Sequence, residues 1–534
     1  MSLFRSIATV GGLTMLSRIA GFVRDLLIAR YLGAGPVADA FFVALRLPNF
    51  FRSLFAEGAF TAGFLPLFSG TEATEGRAAA KAFAEQALAV LLPALFVFCV
   101  AAQLAMPLVI GLLAPGFLGD ALRFPLAVTL TAITFPYLLF ISLAALYGAM
   151  LNSVGRFAAM AATPVLLNLV MIGALLGFAS AAGPAQTGPV QTGPAQTGHV
   201  LAWALFAGGI VQFLWLAFEA RRAGLALRLR RPALPAKVKR LFVLVLPAAI
   251  GAGVTQINLI VGLVLASLLP AGAVSYLFYA DRINQLTVGV VGVAIATALL
   301  PAISAQLARG ETAAAMANQN RAIEFGLLLS LPAAAALIAV PGPVIAILFQ
   351  RGAFDAATAQ ATALALLAYS VGLPGYVLSR TLTPGFHARQ DTRTPVKIAV
   401  IAIAVNLVAS IALMPWLGHV GLALATALAA CVNTLLLGAT LHRRGHWRAD
   451  TRLRARAWRI LLAALAMAAG LLAADRWLLP GWYAGPDLLR FAALALLVGG
   501  GLALYLLAAL ACGATRPAEW RALLRRPAKA APAS

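Results

Sequence analysis

The chain has 534 residues, 62% of them hydrophobic and only 11% charged, with a formal net charge of +23. A soluble chain carries about 25% charged residues, so a water-soluble globule is excluded, and apolar runs of about 20 residues recurring from end to end identify an all-α polytopic membrane protein. The positive charge does not imply nucleic acid, because membrane proteins gather Lys and Arg in cytoplasmic loops, and Cys99, Cys431 and Cys512 are too scattered for a disulfide framework or a metal site.

The first predicted span, 6–32, holds Arg18, Arg24 and Asp25; the second, 36–69, holds Asp39, Arg52 and Glu57. No cleavage-site pattern follows Met1–Arg5, so the first span is expected to stay as a helix. A charge at bilayer depth costs about 2.5–3.5 kcal/mol on insertion scales, and such residues face a bundle interior or a wet cavity on a substrate or ion path. Here the bias is cationic, which points to an anion. Pro48 lacks a backbone donor and predicts a break or kink in the second span. Arg52 would then fall in the first turn of a following half-helix, whose free N–H groups favour anions.

Twelve further spans follow, at 83–113, 123–153, 157–181, 200–220, 241–269, 273–306, 318–349, 355–384, 395–416, 419–442, 456–479 and 486–512. Arg and Lys crowd the even-numbered loops, above all 221–240 and 443–459, and the tail from Arg516 to Lys529. The odd-numbered loops are nearly free of them, with Arg123, Arg351 and Arg476 as exceptions. This alternation predicts fourteen spans with both termini in the cytoplasm. The basic loops read as topology determinants, with anionic-lipid contact secondary. Residues 184–198 repeat PAQTG-PVQTG-PAQTG, have little to pack, and are expected to form a disordered outer loop within 183–199.

A weak internal similarity runs at an offset near 237. Phe64-Leu65-Pro66 resembles Leu299-Leu300-Pro301, and Gly148, Arg156 and Asn168 are echoed by Gly385, Arg393 and Asn406. It predicts two pseudo-repeated six-helix lobes, a recurring transporter plan. The organisation expected is an N-lobe at 1–222, a basic linker at 223–240, a C-lobe at 241–444, two further helices within 445–512 and a basic tail at 513–534.

The motifs SRIAGFVRD (17–25), ADAFFVALRLPNFFRSLFAEGAF (38–60), GAMLNSVGRF (148–157), YADRINQLTVGVVGVAIATALLP (279–301) and ARQDTRTPVK (388–397) resemble those of the MurJ (MviN) lipid II flippases of the MOP exporter superfamily. The likeness runs through all fourteen spans. It implies two lobes plus two C-terminal helices that form a groove for a polyprenyl tail. It also implies export of undecaprenyl-pyrophosphate-linked peptidoglycan precursor across the bacterial cytoplasmic (inner) membrane, with lipid II and bilayer lipids as partners and cell-wall synthesis or division machinery as a further one. Arg18, Arg24, Arg52 and Arg282 match the arginines that line the family's cavity and are needed for activity. Asp39 and Glu57 match further polar positions, and Asp25 and Asp281 stand beside the arginines. The sequence departs from the family at Gln285, often an acid, at Thr287, often a proline, and at His387, often a tyrosine. The first two put the bend and charge pairing around Arg282 in question.

Guanidinium forks suit phosphate oxygens and stay protonated at any relevant pH. A structural role competes for single residues, since Arg24 can pair with Asp25 or Asp39 and Arg282 with Asp281; Arg30 and Arg46 can snorkel or pair. No catalytic, metal or cofactor site is expected. The coupling ion stays open, with the membrane potential as the expected driving force. Three rivals remain: a superfamily exporter of polysaccharide-linked lipids or drugs, a membrane enzyme acting on the same lipid, and a division-site scaffold. A cationic-drug exporter would need buried acids and an enzyme an acid cluster or nucleophile, neither of which is evident; a scaffold would not need intramembrane arginines.

Overall fold

The computed structural model describes residues 3–55, 59–181, 194–483 and 485–515, and these are almost wholly helical. The first repeat comprises α1 (Leu3–Leu32), α2 (Pro36–Phe55), α3 (Ala59–Glu75), α4 (Arg77–Leu104), α5 (Met106–Leu113), α6 (Arg123–Thr134), α7 (Tyr137–Ser153), α8 (Phe157–Ala181) and α9 (Pro194–Arg222). The second comprises α10 (Ala236–Ser267), α11 (Ala273–Ala308), α12 (Thr312–Ala339), α13 (Pro341–Phe349), α14 (Ala356–Val371), α15 (Leu373–His387), α16 (Arg393–Leu417) and α17 (His419–Arg443). Then come α18 (Thr451–Ala473), the short α19 (Pro480–Tyr483) and α20 (Asp487–Ala511). Each of the fourteen predicted spans falls on one helix or on a pair broken in mid-span. Among the described residues, nine helical stretches are long and apolar enough to cross a membrane, one of them (Arg393–Arg443) holding both α16 and α17.

The breaks repeat. α4 gives way to α5 at Ala105, and α12 to α13 at Val340; α6 gives way to α7 at Phe135–Pro136, and α14 to α15 at Gly372. Each break carries a proline at the start of the new helix: Pro107, Pro341, Pro136 and Pro374. Proline lacks only a donor that a first turn leaves unused, so it starts a helix where it would otherwise stop one.

Two sequence expectations are corrected. α9 begins at Pro194, so the last PAQTG copy is helix and not loop. Its small residues are what let it pack: Thr197 is buried, and a Cβ on Gly198 would lie 3.2 Å from Val37 and 3.5 Å from Leu130. Residues 182–193 lie outside the described residues, as do Glu57 and the tail beyond Thr515. The second correction concerns Pro48. α2 runs through it, because the carbonyl that Pro48 cannot serve, on Ala44, accepts a hydrogen bond from Thr134 Oγ1 at 3.2 Å. Arg52 therefore stands in the helix that begins at Pro36, not in the first turn of a new one.

By packing, the chain divides into two compact units: Met1–Phe278 with Phe349–Thr358, and Tyr279–Leu348 with Ala359–Ser534. The sequence-similar lobes are drawn differently from these units, since α10 lies against α3 and α2 in the first. The ten residues from Phe349 are seated on the end of α1. Ala353 N donates to Arg30 O at 2.8 Å, and Phe349 meets Phe22 edge to face. Gly33 (φ 65°) leaves no room for a side chain, since a Cβ there would lie 2.4 Å from Ala353 O.

In the first unit α1 packs on α8 and α2 on α6, while α7 is enclosed by α9, α3, α4, α2 and α8. Buried Glu85 of α4 holds the segment after α9, accepting from Arg228 N at 3.1 Å and from Arg230 Nε at 2.6 Å. In the second unit α12 packs on α18 and α15, and α16 on α17. Asn320 of α12 holds the segment after α17, donating to Arg448 O at 2.9 Å and accepting from Trp447 Nε1 at 2.8 Å. One turn on, buried Glu324 binds Arg456 and Arg321, and Arg452 at 3.2 Å. Ile460, Met467, Leu471, Leu497 and Tyr505 then join α18 and α20 in one apolar cluster with Val340 and Ile347.

Candidate functional site

In the first unit the intramembrane charges are not equivalent. Asp25 is 2% exposed and accepts from Arg24 twice, from Nη2 at 2.7 Å and Nε at 3.0 Å. Arg24 Nη1 reaches Asn168 Oδ1 of α8 at 2.9 Å, and Asn168 Nδ2 in turn donates to Ser17 O at 3.0 Å. Gly21 makes room for that amide, since a Cβ there would already touch Asn168 Nδ2 at 3.4 Å. Three of the five guanidinium N–H groups of Arg24 are thereby used, leaving two that can meet a ligand oxygen. Pairing and ligand binding are thus not exclusive: the carboxylate and amide fix the fork.

Arg18 lies on α1 next to Ser17, whose carbonyl Asn168 binds, and is exposed, with no acceptor among the described residues. Arg52 is half-buried at the end of α2, beside Ser53, whose Oγ accepts from Gln256 Nε2 of α10 at 2.9 Å.

Asp39 is fully buried. It accepts from Gly272 N at 2.7 Å, Ser275 N at 2.9 Å and Ser275 Oγ at 2.6 Å. These are donors of the first turn of α11, which have no partner within the helix. Asp39 caps the helix that carries Arg282 further along, and its oxygens are spent on that task.

In the second unit Asp281 and Arg282 are adjacent and half-buried on α11. Gln285, standing where the family often has an acid, donates its amide to Asp281. Thr287, standing where the family often has proline, bonds back to Ile283 O, and α11 is unbroken from Ala273 to Ala308. Tyr376 of α15 packs against the apolar cluster that includes Val288 of α11. A further intramembrane cation, Arg380 of α15, escaped the sequence reading and is exposed. The signal that singled out Arg18, a charge inside an apolar span, was present there too. Chemically, guanidinium groups in membrane-spanning helices suit the binding of oxyanions.

Comparison with known proteins follows the same lines. The family model described as "Lipid II flippase MurJ" matches residues 28–489. A protein of Rhizobium meliloti (strain 1021) named "Probable lipid II flippase MurJ" is 44% identical over 532 residues, covering 99% of this chain and 98% of that one. Among solved structures, "Lipid II flippase MurJ, inward closed conformation" aligns with a TM-score of 0.77 at 24% identity, over 97% of this chain and 99% of the other. A multidrug resistance MATE family transporter of the MOP superfamily, in an inward-facing conformation, aligns with a TM-score of 0.65 at 15% identity, over 82% and 97%. These last two likenesses are of fold.

Proposed function

Because the chain belongs to the MurJ family of lipid II flippases, we propose that it carries lipid II from the inner to the outer leaflet of the bacterial cytoplasmic membrane, by alternating access. Arg18, Arg24, Arg52 and Arg282 receive the pyrophosphate of the headgroup; Asp25 orients Arg24, and Asp39 fixes the start of the helix bearing Arg282. The observation that carries the reading is the guanidinium of Arg24, held on one side by Asp25 and Asn168 with two donors to spare. A charge fixed in this way meets an anion without first having to be ordered. The arginine-rich loops after α9 and α17 support an orientation with both termini in the cytoplasm. An anionic headgroup moving outward is helped by an inside-negative potential, by roughly 2.3 kcal/mol per charge per 100 mV, which supports the membrane potential as the driving force.

A multidrug exporter fits less well. A cationic cargo needs free carboxylates, and Asp25 and Asp39 are both engaged.

The test is depletion of the protein, with lipid II assayed in each leaflet. Outer-leaflet precursor should fall; an unchanged level sinks the proposal. Arg24→Ala and Arg282→Ala should each lower export by about tenfold or more, the worth of a charge-assisted hydrogen bond, while protein remains in the membrane. Export retained by both variants would make these arginines structural.

A further inference from the structure

α15 has three differently occupied sides. Gly372 and Gly375 press against α17, where a Cβ on Gly375 would lie 2.9 Å from the Ala430 backbone. Thr381 accepts through its carbonyl from Gln319 of α12. Leu373 and Val377 join Val288, Leu299 and Ile303 of α11 in an apolar cluster, with Tyr376 packed against it. The remaining face carries Tyr376, Arg380, Thr383 and His387, at spacings of four, three and four. That is one helical stripe. Tyr376 and Thr383 are half-buried; Arg380 and His387 are exposed.

A polar stripe with a guanidinium inside a membrane-spanning helix does not face lipid tails; it faces water. The stripe also borders the α11 side of α15, where Tyr376 packs against the cluster that includes Val288, Leu299 and Ile303 of α11. No acceptor for Arg380 exists among the described residues, and the α11 side chains left undescribed, 290–298, include no acid. Among the described residues, Arg380 makes no ion pair.

We infer that Arg380 is a further binding residue of the transport path, contacting an oxyanion of the translocated headgroup, with Tyr376, Thr383 and His387 forming the wet track around it. The inference rests on the flippase reading. It adds a cation in the second unit that the matched family arginines do not include.

The test compares Arg380→Leu, Arg380→Lys and Arg282→Ala in proteoliposomes fed lipid II. Arg380→Leu should lower export at subsaturating lipid II by about tenfold, with Arg380→Lys retaining most of it and thermal melting unchanged. Parent-like export by Arg380→Leu overturns the inference. If Arg282→Ala also exports normally, it is the arginine-anion reading that fails, not this addition alone. Undecaprenyl pyrophosphate without its sugar separates the possible oxyanions. Equal weakening for both lipids by Arg380→Leu assigns the contact to pyrophosphate; weakening for lipid II alone assigns it to an anion further out on the headgroup. Should Arg380→Leu not accumulate, Arg380→Cys treated with a charged thiosulfonate gives a second readout. Labelling above the parent that lipid II suppresses supports the contact, and absence of labelling or of protection refutes it.

Discussion

α7 and α15 hold the same place in the two repeats, each following a proline-marked break, yet their surfaces differ. Thirteen of the seventeen residues of α7 are buried, and five neighbouring helices enclose it. α15 leaves one polar face open along its whole length. At the offset of 237 that relates Gly148 to Gly385, Arg380 corresponds to Leu143, which is buried at 5% exposure. What the repeat copies is the backbone plan: where helices start, where they break, and where a glycine admits a close neighbour. Gly148 and Gly385 both do so, against Met160 and Gln319. The chemistry on that plan is not copied. In the first unit the fourth span is a packing element, and in the second it carries charge.

Three substitutions probe this contrast. The largest effect is expected from Leu143→Arg, which gives α7 the residue of its mate. With no open face to receive it, the charge should cost about 3 kcal/mol or more, read as loss of folded protein from the membrane. Normal accumulation would mean that α7 too has access to water. Next is Thr134→Val, at the end of α6. Thr134 Oγ1 lies 3.2 Å both from Thr131 O of its own helix and from the Ala44 carbonyl left open by Pro48, whereas Ser370, near the end of α14, turns back to Leu366 O alone. Leaving a buried carbonyl unpaired should cost about 1–3 kcal/mol. In a Pro48→Ala background, where residue 48 can donate, the loss should shrink. An equal loss in both backgrounds would refute the account of Pro48.

The smallest effect concerns the turns that follow the two helices. Asp391, after α15, is held below the ordinary carboxylate range first by the Thr394 hydroxyl, then by Thr394 N, which donates to it at 2.9 Å, and by Arg444 Nη1 at 2.6 Å. Val154 occupies the corresponding turn after α7. A carboxyl with a depressed pKa stabilises the fold above its unfolded value and loses that contribution as pH falls through the folded one. The melting-temperature gap between the parent and Asp391→Asn should thus be full above about pH 5 and narrow below about pH 4. A gap independent of pH would remove the charge from the explanation.

Much of this was legible in the sequence because lipid makes hydrophobic length a direct signal. Among the described residues every predicted span falls on helix, and Arg18, Arg24 and Asp25 stood out as charges in apolar runs, while Arg282 was picked out by the family motif. What was not legible depends on partners far along the chain. Nothing near Asp39 in sequence says that it caps a helix starting 233 residues later. Nothing near Pro48 announces Thr134, 90 residues from Ala44. The helical end of the PAQTG tract was missed because composition showed too little apolar surface, whereas the site needed small residues against Val37 and Leu130. Arg380 was missed by applying the charge criterion only at the start of the chain.

Glu85 and Asn320 carry a consequence for the order of synthesis. α4 and α12 begin at Arg77 and Thr312, so the two side chains sit at the same point of their helices, eight residues in. Each grips the segment that leaves its repeat, 143 residues downstream in the first and 128 in the second. A chain made from its N-terminus offers Glu85 nothing to hold until α9 has emerged, and offers Asn320 nothing until α17 has. Until then each is a polar group awaiting its partner within a membrane-spanning helix. The two grips close in sequence as each set of helices is completed, so a ribosome halted before Arg228 leaves the first of them open.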